Sequence, residues 1–87
     1  MQRWKEMTQT VKNMDGSQTL VEILGTRRVL VERHRGILAY GKEEILVGAS
    51  FGRIRVAGAE LRLCCMSREQ LFISGKIGQI TLEAREP

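Results

Sequence analysis

The sequence predicts an all-β fold, a small antiparallel β meander curled into a roll or sandwich, with a short N-terminal amphipathic helix. Three observations predict it. From Gln18 onward the chain breaks into short runs rich in Val, Ile and Leu, separated by glycines, which is the texture of strands and turns. Apolar and charged residues alternate with period two in runs such as Arg53-Ile54-Arg55-Val56, as a half-buried strand requires. The lone proline, Pro87, interrupts none of these runs.

The first element is helical. Met1, Trp4, Met7, Val11 and Met14 recur at steps of three and four, the spacing of one helical face, with Arg3, Lys5 and Lys12 on its flanks. Asp15-Gly16 ends it, glycine being the residue that accepts the left-handed conformation after a helix terminus. The chain therefore divides into a helix and its cap over residues 1–16 and a single β domain over 17–87. The stripe either packs on its own domain or docks elsewhere, in which case Trp4, Met7 and Val11 are the contact residues for a partner groove or a membrane surface.

Strands are expected near 19–24, 28–33, 37–41, 44–49, 53–57, 60–65, 70–74 and 77–83, with no second helix. Strands 28–33 and 37–41 carry apolar residues at both parities, so that part of the sheet is expected to be covered on both faces. A hairpin turning at Phe51-Gly52 keeps Val47 and Ala49 on the side of Ile54 and Val56. A second, with Gly58-Ala59 as its loop, sets Val56 opposite Leu61 and Ile54 opposite Leu63, giving a continuous apolar face. The other face then holds Arg53, Arg55 and Arg62, with Arg55 directly opposite Arg62. Like charges so placed repel, and either glutamates and solvent relieve the repulsion or the face meets something acidic. Ile77 is out of phase with Ile80 and Leu82, which predicts a bulge or bend at Gly75 or Gly78.

Composition narrows function. A chain of 87 residues buries only about 60–65 % of its unfolded surface, so oligomerisation or a docking partner would supplement a thin stability margin. The longest charge-free run, 45–52, is far below the roughly 20 residues that span a bilayer, so a cytoplasmic location is expected. The net charge of +4 tilts the molecule mildly toward anionic partners. Cys64 and Cys65 are adjacent and fit neither a redox motif nor a zinc knuckle; one is expected as small core filler and the other as an exposed thiol.

Catalysis fails on inventory. The chain has one histidine and one aspartate, with no nucleophile elbow and no phosphate loop, so no enzyme, cofactor or metal is expected. Nucleic-acid binding is disfavoured because no aromatic interleaves with the arginine face. His34-Arg35-Gly36 is the local constellation left to explain. It is read as a hairpin loop in which Gly36 supplies a positive φ and the imidazole ties the turn by hydrogen bonds. The alternative is a contact surface on which His34 and Arg35 bind a partner carboxylate or phosphate.

These residues carry a resemblance. Glu32-Arg33-His34-Arg35-Gly36-Ile37-Leu38, then the block from Gly52 to Leu63, then that from Leu71 to Ile80, resemble the YabP/YqfC family of sporulation proteins. The similarity runs from about Leu20 to Glu83, and the short N-terminal segment with its tryptophan is similar to the YqfC branch. The resemblance implies a small β-rich protein of the mother-cell cytoplasm, required for endospore formation without catalysing a reaction. It also implies pairing with a membrane-anchored sporulation protein and recruitment to the developing-spore membrane. Rival expectations are a self-assembling structural homo-oligomer and a nucleic-acid-binding domain using Arg53, Arg55 and Arg62.

Overall fold

The structure, a computed structural model, describes residues 18–85. The expected N-terminal helix, with Trp4, Met7 and Val11, lies outside the described residues. The rest is all-β: β1 (Leu20–Leu24), β2 (Arg28–Glu32), β3 (Ile37–Tyr40), β4 (Glu44–Ala49), β5 (Gly52–Met66) and β6 (Gln70–Ala84). They form one antiparallel sheet in the order β1-β2-β6-β5-β4-β3.

This order corrects the simple meander. From β3 to β6 each strand pairs with the next, but β2 pairs with β6 rather than with β3. The segment between β2 and β3, which holds His34-Arg35-Gly36, is consequently a crossover from one side of the long β5–β6 hairpin to the other, not a hairpin loop.

The Gly58-Ala59 hairpin is also corrected. Residues 52–66 are one strand, and residues 70–84 are another. Ile54 faces Leu82, Val56 faces Ile80 and Leu63 faces Ile73. The register slips at Ala57/Gly58, between Ala59 and Arg62, and between Leu63 and Cys65. The first slip leaves Gly78 as the extra residue, which bears out the expected bend near Gly75 or Gly78. At the second, Glu60 adopts φ 54, and β5 turns without reversing. At Gly58 a Cβ atom would collide with the Lys76 carbonyl oxygen, so the absence of a side chain permits the close approach of β5 and β6. The true loop of this hairpin is residues 67–69, closed by the Ser67 amide donating to the Gln70 carbonyl at 2.7 Å and the Gln70 amide donating to Ser67 Oγ at 3.1 Å.

The bends make one sheet cover its own apolar face. Val29, Val31, Leu71 and Ile73 from one half and Ile45, Val47, Ile54 and Val56 from the other are fully buried in a single cluster, with Ala49 and Leu61. Each large side chain so buried stabilises the fold by about 1.5–3 kcal/mol. The β4–β5 turn falls at Ser50-Phe51, one residue before its expected place, and Val47 pairs with Ile54 as the phase required. The outer face is less covered than expected among the described residues. Leu30 of β2 is half-buried, but Leu38 and Tyr40 of β3 are 56 % and 60 % exposed. Both cysteines are free and exposed, which corrects the core-filler reading; the slip between Leu63 and Cys65 breaks the strand alternation on which it rested.

Candidate functional site

The crossover is built by backbone bonds to both halves of the sheet. Arg33, held at φ 56, donates its amide to the Glu69 carbonyl, and its own carbonyl accepts from Thr19 Oγ1 at 2.8 Å. Two residues on, the Arg35 amide donates to the Gly48 carbonyl and the Gly48 amide to the Gly36 carbonyl, each at 2.8 Å. His34 sits between these anchors. The Gly36 amide donates to its Nδ1 at 3.0 Å, which leaves the ring proton on Nε2, and Nε2–H donates to the Ser67 carbonyl at 2.8 Å. Both ring nitrogens are thus engaged with backbone, and Gly36 has φ 95. The tie expected of this histidine is present, and it reaches farther than its own turn.

Arg53 and Arg55 come together as expected, but as members of an ion network. Glu83 Oε1 accepts from Arg53 Nε and Glu83 Oε2 from Arg55 Nε at 2.9 Å, while Arg55 Nη1 reaches Glu44 Oε2 at 2.7 Å. The carboxylates come from β6 and β4, the strands flanking β5, so neighbouring glutamates do relieve the charge. The hydrogen bond from Arg55, and then that from Arg53, holds the Glu83 carboxyl below the usual carboxylate range. The bond to Glu83, and then that to Glu44, raises the affinity of Arg55 for its proton.

Arg62 is not part of this group. It lies beyond the bend, paired across the sheet with Ser74. There it lines an open groove of about 1140 Å³ together with Arg27, Arg28, Lys42, Tyr40 and Phe72. One wall is the β1–β2 turn, fixed by the Gly75 amide donating to the Arg27 carbonyl at 3.1 Å and the Ile77 amide to the Thr26 carbonyl at 3.0 Å. The other is the β3–β4 turn, where the Leu61 amide donates to the Lys42 carbonyl at 2.8 Å and the Leu63 amide to the Tyr40 hydroxyl at 3.3 Å. Both turns are strapped to the bent middle of the β5–β6 hairpin, which forms the floor, and there Cys64 Sγ lies 2.7 Å from Ser74 Oγ.

The sequence-predicted residues therefore occupy three places: His34, Arg35 and Gly36 in the crossover, Arg53 and Arg55 in the ion network, Arg62 in the groove. Arg27, Arg28, Lys42 and Tyr40 were missed by sequence reasoning. Their visible signal was a basic residue at each of two hairpin turns; that the turns converge is a property of the curl. Among the described residues no three His, Cys, Asp or Glu side chains converge as a metal site.

Fold and site together define a small all-β domain made from one curled antiparallel sheet, with an ion network on one half and a basic groove at the bend. The chain belongs to the YabP family, whose model matches residues 14–87. Membership associates it with sporulation, and the match does not separate the YqfC branch from the rest of the family. No curated protein and no solved structure matches the chain.

Proposed function

We propose that this domain is a non-enzymatic interaction module of endospore formation, which docks on a protein partner anchored in a membrane and acts from the mother-cell cytoplasm at the developing spore. The observation that carries the non-catalytic reading is the commitment of His34: a general base or metal ligand needs a free ring nitrogen, and both are bonded to backbone. Family membership supports the developmental setting. Among the described residues, the exposed groove and the charged outer face offer docking surface.

Deletion of the gene from a spore-forming host tests this. The expected result is normal vegetative growth with a loss of heat-resistant spores, and a fluorescent fusion gathered at the developing-spore membrane. A deletion strain that sporulates at the wild-type level would exclude the role.

A second reading, self-assembly, has its own observation. Residues 79–84 of β6 pair only with β5 among the described residues, and Leu82 on that edge is 60 % exposed. An unpaired strand edge can accept a strand from another copy. Sedimentation over a range of concentrations separates the readings: a monomer at all concentrations eliminates the second.

A further inference from the structure

We infer that the groove at the bend takes an extended, acidic protein segment carrying an apolar side chain, an inference that rests on the interaction-module reading and names the chemistry of the partner. The described ion pairs join Arg53 and Arg55 to Glu83 and Glu44 on one half of the sheet, and Lys76 to Glu60 at the groove. Arg27, Arg28, Lys42 and Arg62 line the same groove and have no carboxylate within ion-pair distance among the described residues. Four cations around one concavity, with Glu60 already paired to Lys76, raise a positive potential that a carboxylate-bearing chain offsets.

The shape and the floor select the occupant further. The groove, about 1140 Å³, is open to solvent rather than enclosed, which suits a stretch of chain lying along it. Tyr40 stands exposed on one wall and Phe72 is half-buried in the floor, so an apolar side chain lying between flanking acids would be desolvated against both. A nucleic-acid strand is held instead by stacking on successive exposed rings, and the groove exposes one.

The test uses the purified full chain and fluorescence anisotropy with two probes of equal net charge, a fluorescein-labelled Glu/Leu peptide and a fluorescein-labelled oligothymidylate. The peptide is expected to bind more tightly than the oligonucleotide. Arg28→Glu and Arg62→Glu should each weaken peptide binding on the order of tenfold, as reversal of a contacting charge does. Arg68→Glu, on the 67–69 loop, makes the same change in net charge away from the groove and should leave binding within about twofold. Circular dichroism confirms that each variant is folded. Equal weakening by all three variants, or tighter binding of the oligonucleotide, overturns the inference. The two readings fail separately, because a deletion strain with normal sporulation removes the module whatever the groove binds, and equal weakening removes only the groove.

Discussion

The imidazole Nε2 of His34 donates to the carbonyl oxygen of Ser67 at 2.8 Å across 33 residues of sequence. This bond joins the β2–β3 crossover to the loop that closes the β5–β6 hairpin. Since the Gly36 amide occupies Nδ1, one side chain fixes the local turn and its distance from the far loop at once. Replacing His34 by Ala removes both bonds; the part-buried Gly36 amide loses its acceptor while the exposed Ser67 carbonyl turns to solvent, a loss of about 0.5–1.5 kcal/mol. Urea unfolding should show a lower midpoint for His34→Ala at unchanged slope; an unchanged midpoint would mean that the ring does not tie the crossover.

The glycines at 36 and 58 should respond differently to a methyl group. A Cβ on Gly36 meets no heavy atom within 4 Å, so Gly36→Ala suffers only from φ 95, about 1–3 kcal/mol. A Cβ on Gly58 strikes the Lys76 carbonyl, which belongs to the paired strand and cannot swing aside. Gly58→Ala should therefore be the more destabilised of the two in thermal melts. The reverse order would contradict the close approach of β5 and β6 at the bend.

Acid should weaken the domain through Glu83. Its folded pKa is lowered from 4.5, first by Arg55 and then by Arg53, so its contribution is complete above the unfolded carboxylate value and is lost as pH falls through the folded one. Part of the loss of stability between about pH 6 and about pH 3 should disappear in Glu83→Gln. The side chain is 28 % accessible, so solvent screens the network and the effect is modest. Urea midpoints of wild type and variant at the two pH values give the comparison, and identical pH slopes would show that the network does not bias folding.

One core predicts one transition. Ile54 and Ile73 lie on opposite halves of the bent hairpin and share a buried cluster. Ile54→Ala and Ile73→Ala should each destabilise by about 2–5 kcal/mol and shift a single cooperative unfolding curve. A biphasic curve in either variant would indicate two separately folding halves.

Much of this fold was legible in the sequence. The strand positions over 20–49 follow from apolar runs and glycine punctuation, and the β4–β5 phase from Val47 and Ile54. The failure at Gly58-Ala59 has a definite cause. Val56 and Leu61 are an odd number of residues apart, and both a two-residue loop and a bulge can return two such positions to one face. Periodicity cannot choose between them; the Lys76 carbonyl beside Gly58 and the left-handed Glu60 do. The same error put Arg62 opposite Arg55, whereas the bend carries it to the groove with Arg27 and Arg28. The tie by His34 was readable from its neighbour Gly36, but its second partner, Ser67, depends on β2 lying beside β6, where Glu32 faces Gln70 and the Arg33 amide meets the Glu69 carbonyl.

β5 and β6 form one continuous hairpin, bent at Gly58, which rolls a single sheet around one core. Nuclear Overhauser contacts between backbone protons of the cross-strand pairs test it directly. Contacts are expected of Ile54 with Leu82, Val56 with Ile80 and Leu63 with Ile73. Cross-strand contacts of Val56 with Leu61, in place of those with Ile80, would contradict it.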